Sequence, residues 1–311
     1  MKISYFDPLS AGWNRMKNAL FYPFDIRKWF IVGFTAFLAG LMDYNGGGGG
    51  NAANRDSHPD LSWHDFRNAP AEAWDWLLSH SVIFTLIIIG VIFLIGIIIT
   101  LTWLSSRGKF MFLHNVIHDK SDVGEPWKAY SREGNSLFIW RLVFGLIASF
   151  VITGFMVIAF ATIIGVVAQS GDVGTNILVI MAFIFTFLAI IIVVSYISLF
   201  LNDFIVPVMF KNKVSATKGW GIFLKLLSRH PGPFILYGLF RFLLALVVLV
   251  CILIFGFFTC CIGFIILLIP YISSVLLLPV SYTFRAFSVE FLEQFGDDYT
   301  FFPEQPVTDG P

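Results

Sequence analysis

The sequence predicts an all-α membrane protein: a polytopic bundle of six transmembrane helices built from three parallel repeats, each an amphipathic interfacial helix followed by a transmembrane hairpin. Three observations carry that expectation. The 311 residues are 57% hydrophobic, 17% aromatic and only 13% charged, more apolar surface than one water-soluble core can bury. Apolar runs long enough for a hydrocarbon core of about 30 Å occur near 82–104, 138–169, 176–201, 233–259 and 260–290, with a shorter sixth at 29–42. A tryptophan-bearing, mildly basic stretch precedes each hairpin, marked by Trp13, Trp127 and Trp220.

The first unit opens with Asp7 as a helix N-cap and Pro8 at the first helical position. Leu9, Trp13, Met16 and Leu20 then share a face, with Asn14, Arg15, Lys17 and Asn18 turned away from it, a pattern that predicts a helix lying flat on the inner leaflet. Pro23 and Asp25 end it; the chain turns into the membrane at Trp29 and emerges outside at Asp43. The run 29–42 is short for a span, and snorkelling of Arg27 and Lys28 with local thinning of the bilayer supplies the difference. A cleaved signal peptide over 1–45 is the competing reading. The long charged region before the apolar run and the lack of an A-x-A site speak against it.

Residues 43–80 form the sizeable external loop, with the flexible tether Gly46 to Gly50 and a short helix expected around Trp63, Trp74 and Trp76. In the second unit Val123, Trp127 and Tyr130 form the apolar face, and Gly134 breaks it. In the third, Ser215 is the cap, Trp220, Phe223, Leu224 and Leu227 face inward, and Lys218, Lys225 and Arg229 point to headgroups. Pro231-Gly232-Pro233 then starts the fifth span. The returning helices run past the membrane in "FLHNVIHDK", "VPVMFKNK" and "EFLEQFGDD". The units are therefore about 7–118, 121–212 and 214–298 of a single domain 1–298, and 299–311 reads as a disordered tail.

The formal net charge is zero, yet it separates by loop. Segments 1–28, 105–136 and 202–232 each hold five Lys/Arg, whereas 43–80 has two Arg against six acids. By the positive-inside rule both termini are cytoplasmic, and the protein is expected to be integral to the plasma membrane. Those basic residues are thereby explained without nucleic acid.

Ionisable groups within apolar runs are the first candidates for function. Arg141, Arg241 and Arg285 lie in the inner halves of their runs, with Asp203 at the inner end of the fourth. Snorkelling or interhelical pairing is the plain reading; a site for an anionic headgroup or anionic substrate is the sharper one, since arginine grips phosphate with two donors. Trp13, Trp127, Trp220, Lys17, Lys218 and Lys225 are the expected interfacial anchors. Tyr271, Ser274, Ser281 and Arg285 form a polar stripe on the sixth run, and Ser195, Ser198 and Asn202 one on the fourth, either helix glue or the lining of a cavity. His114 and His118 have metal-clip spacing, but "HNVIH" lacks the glutamate of an HExxH protease and no third ligand adjoins. His58, Asp60, His64 and Asp65 read as a solvated loop cluster. Cys251, Cys260 and Cys261 have no metal or thioredoxin-like spacing and read as packing residues. With no P-loop, no G-x-S-x-G elbow and no paired intramembrane carboxylates, neither a catalytic residue nor a cofactor is expected.

The tryptophan-marked helices, the segment "NDFIVPVMF" and the ending "RAFSVEFLEQFG" resemble a group of uncharacterised bacterial six-span proteins, itself loosely similar to the membrane domain of some glycerophosphodiester phosphodiesterases. The resemblance spans most of the chain except 43–80 and the tail. It implies a membrane bundle and no catalytic residue, and the chain has no phosphodiesterase catalytic domain. The first functional expectation is a non-enzymatic scaffold, assembly factor or regulatory subunit that contacts membrane lipids and a protein partner or a second copy of itself. The alternative is a transporter or flippase for a lipid or amphiphilic anion through a groove lined by Asp203, Arg241, Ser281 and Arg285. The third, an intramembrane enzyme, needs His114 or Asp203 to meet a nucleophile or metal.

Overall fold

A computed structural model describes residues 3–43, 75–169, 173–259 and 262–302, and every regular element among them is helical. The elements are α1 (Phe6–Phe21), α2 (Ile26–Gly40), α3 (Ser81–His118), α4 (Gly124–Ala129), α5 (Ser131–Gln169), α6 (Val173–Phe200), a π-helical turn (Leu201–Ile205), α7 (Val206–Asn212), α8 (Ala216–Arg229), α9 (Pro231–Phe258), α10 (Ile262–Leu267), α11 (Pro270–Leu276) and α12 (Leu278–Glu293). Helix ends follow local chemistry. The Asp25 carboxylate accepts the Arg27 N–H at 2.8 Å to cap α2, Pro231 opens α9 where its missing N–H costs nothing, and Asp119 and Lys213 close α3 and α7 in the left-handed conformation. The expected Asp7 cap lies inside α1 instead, and its own N–H bonds the Ser4 hydroxyl at 3.3 Å.

Among the described residues four helices are long and apolar enough to cross a membrane: α3, α5, the continuous α6–π–α7 rod and α9. A fifth span exists if α11 and α12, bent by 65° to each other, count as one. Pro279 explains that break, because it lacks an N–H to give the end of α11 and sits at the start of α12. The long helices expose their apolar stretches, as Phe93, Phe150, Leu178 and Phe257 illustrate, and bury their opposite ends. The core therefore sits at one end of the molecule. There Phe204 lies among Phe200, Phe223, Phe234, Tyr237 and Phe291, with ring centroids 4.8–6.0 Å from it. A second cluster joins Met16 and Leu20 of α1 to Val32 and Ala36 of α2, Phe112 of α3 and Tyr282 of α12.

Three expectations change. The hairpin of 29–42 with 82–104 does not form as drawn: α2 runs antiparallel to the stretch 105–119, with the Ser105 hydroxyl on the Ala39 carbonyl at 2.9 Å and Lys28 paired to Asp119 at 2.9 Å, while Val82 to Ile99 stay exposed. The reason is steric. Gly108 brings the backbones so close that a Cβ there would lie 2.6 Å from the Ala39 nitrogen, the small-residue contact that lipid-embedded helices favour. Second, α1 packs on α12 instead of lying alone: Pro8, Gly12, Met16, Ala19 and Leu20 are buried, and Trp13 is turned outward, 51% exposed. Third, the tail is docked as far as Phe302, which is 5% exposed beneath the Arg15 guanidinium and bonded through its N–H to Glu293 at 2.9 Å. In the stretch expected as an external loop, 75–79 are helical and Trp76 stacks on His80; Gly46 to Gly50, Trp63, Trp74 and the cluster His58, Asp60, His64, Asp65 lie outside the described residues, as do Cys260 and Cys261.

Candidate anion-binding cavity

The site begins with a proline. Pro207 has no N–H to give the Asp203 carbonyl four residues earlier, and its ring crowds that carbonyl, so the rod relaxes into a π-helical turn over Leu201–Ile205. Such turns redirect side chains and release backbone acceptors. Here the turn presents the Asn202 carbonyl, which accepts Arg285 Nη1 at 2.6 Å, and the Asp203 carboxylate, whose Oδ2 accepts the Tyr237 hydroxyl at 2.9 Å. Arg241, one helical turn beyond Tyr237 on α9, brings its Nε to 3.6 Å from the same oxygen and lays its guanidinium 3.4 Å above the Phe284 ring. That Nε makes no hydrogen bond, and neither does the buried Oδ1 of Asn202.

A second charged cluster stands across from the first. Asp43, just past α2, binds Lys109 of α3 and Arg141 of α5, the latter at 3.1 Å. Arg141 also donates to Ser105 Oγ at 3.0 Å, and the Lys109 side chain is wholly buried. Between the clusters lies a cavity of about 860 Å³, lined on its polar side by Asp43, Asn202, Asp203, Arg241, Ser281 and Arg285. Its rim is apolar: Ile192, Leu239 and Phe242 line it and are each at least half exposed. The charges that act on Arg285 and Asp43 include Asp203, Arg241, Lys109 and Arg141. Among these groups four cations accompany two carboxylates.

Of the residues singled out in the sequence, Asp203, Arg241, Ser281 and Arg285 line this one cavity, and Ser195 and Asn202 join them. Arg141 stands behind Asp43 and is no part of the lining. Tyr271 donates to the Phe30 carbonyl at 3.2 Å and Ser274 to that of Pro270 at 3.1 Å, both bonds spent between or within helices. Trp127 covers Arg107 together with Trp103, at 4.8 and 4.7 Å, and Trp220 stacks on Trp140 at 5.2 Å. Lys17, Lys218 and Lys225 are exposed. The rings of His114 and His118 lie 4.4 Å apart, tilted by 32°, and no group of three metal-ligating side chains occurs among the described residues. Cys251 is exposed with a free thiol. The residues that sequence reasoning missed are Asp43, Lys109 and Tyr237. Pro207, four residues after Asp203, was the readable signal for the turn; nothing local marks Asp43 as a partner for residues 66 and 98 positions away.

A family model spans nearly the whole of this architecture, from residue 3 to residue 300. The chain belongs to DUF7544, a family of unknown function. No curated protein and no solved structure matches it. Membership in DUF7544 carries no activity to this cavity, and it brings nothing that bears on glycerophosphodiester phosphodiesterases, so the chemistry of the site rests on its own residues.

Proposed function

We propose that this protein holds an anionic amphiphile of the membrane, its charged head between Arg241 and Arg285 and its chain lying outward along the apolar rim of α6 and α9. The observation that carries this reading is the pairing of an arginine-bearing, cation-rich floor with a rim of exposed Ile192, Leu239 and Phe242. A volume of about 860 Å³ suits a headgroup with the first part of a chain. Transfer or flipping of such a molecule is the activity class this geometry favours. A scaffold with a closed apolar interior is the weaker reading, since the cavity is polar where that interior would be.

Orientation follows from charge and parity. Ser4 and Gln294 bond each other reciprocally at 2.9 Å, so the start and the end of the bundle share one side. A chain that starts and ends on one side crosses an even number of times. The four long helices and the α11–α12 pair make five crossings among the described residues, so parity calls for a sixth. The basic segments at the packed end support a cytoplasmic position for that end in a plasma-membrane protein. The test of the site is native mass spectrometry of the protein released from nanodiscs of mixed anionic and zwitterionic lipid. The wild type should retain anionic lipid, and Arg241→Gln with Arg285→Gln should lose it while keeping its helical circular dichroism. Equal retention by both would sink the reading.

A further inference from the structure

Building on that reading of the cavity, we infer that its ligand carries a phosphomonoester, a group that bears close to two negative charges, and not a singly charged diester. Charge balance across the two clusters carries the inference. Asp43 is neutralised twice over, by Lys109 and Arg141, which leaves one positive charge on that side. Asp203 is matched by Arg241 alone. Arg285 stands between them and bonds a neutral carbonyl, that of Asn202, with no carboxylate of its own. The excess is two positive charges, and both are held away from bulk water, where unbalanced charge is most costly.

A bound phosphomonoester cancels that excess; a diester leaves half of it. Its three terminal oxygens also match the donors at hand: the Arg241 guanidinium, the remaining Arg285 nitrogens, and the Ser281 and Ser195 hydroxyls that line the wall. The second ionisation of a phosphomonoester falls near pH 6, so the ligand itself titrates. Among the described residues no histidine lines the cavity. The protein groups facing the ligand are Asp43, Asp203, Tyr237, Arg241, Arg285 and, behind Asp43, Lys109 and Arg141.

The experiment is competition, in nanodiscs of phosphatidylcholine doped with equal phosphatidic acid and phosphatidylglycerol, read by native mass spectrometry at pH 5.5 and pH 7. The expected result is roughly tenfold preference for phosphatidic acid at pH 7, falling several-fold at pH 5.5 as the phosphate takes up its second proton. Arg241→Gln should bring the preference near unity. Asp203→Asn, which removes an acid yet keeps an acceptor for Tyr237, should raise phosphatidic acid retention. Equal retention of the two anionic lipids overturns the phosphomonoester inference and leaves the anionic-amphiphile reading standing, whereas retention of neither overturns both. Equal losses in the two variants mark a structural role and overturn the inference. An arm with inorganic phosphate separates the sources: displacement of the lipid at equal concentration supports the charge assignment and overturns the amphiphile.

Discussion

Asp43 sits at a turn that reads from the sequence as the edge of an external loop, yet it holds three helices together by pairing with Lys109 and Arg141. Asp43→Asn keeps the shape of the side chain and removes the charge that both cations meet. The same variant leaves Lys109 buried without its partner and should cost about 3 kcal/mol, measured as a lowered Tm in detergent. The double variant Asp43→Asn with Lys109→Met should recover much of the loss. If Asp43→Asn alone melts like the wild type, the ion-pair account is wrong.

At the scale of elements, proline and glycine decide more than hydropathy does. Pro207→Ala restores an N–H to the rod, so the π turn should close into regular α-helix and withdraw the Asn202 carbonyl that holds Arg285 in the cavity. Anionic-lipid retention should drop by an order of magnitude or so in that variant, with helix content unchanged; undiminished retention would show that the turn does not set the site. Gly108→Leu should separate α2 from α3, because even a Cβ meets the Ala39 backbone, at a cost of about 3 kcal/mol or more in thermal unfolding. An unchanged Tm would place the α2 contact elsewhere. The helical elements themselves were legible, since apolar runs of membrane length and the breaks at Pro231, Pro270 and Pro279 are written locally. The partner of α2 was not. Its apolar pattern fits either half of α3, and only the small residues Ser105 and Gly108, read against Ala39, select the inner one.

For the whole molecule, packing is concentrated at one end and the long helices present their apolar stretches outward. Cysteines placed at Lys218 and Gln294 should react with a membrane-impermeant maleimide only after the cytoplasmic face is opened, and a cysteine at Ser79 should react in intact cells. Reaction of all three from one side would break the parity assignment. The sequence by itself determined the character of the long helices: 57% hydrophobic residues in runs of membrane length make them compatible with a membrane, and its sorted charge is the basis of the proposed orientation. It also named Asp203, Arg241, Ser281 and Arg285, because ionisable groups inside apolar runs are conspicuous one at a time. Only the tertiary structure decided that they share a cavity and that Asp43 and Lys109 belong beside them. Whether a charge in a membrane protein is solvated, paired or left in excess depends on what lies within a few ångströms of it. Those neighbours are brought from distant segments by packing, which periodicity along one chain does not encode.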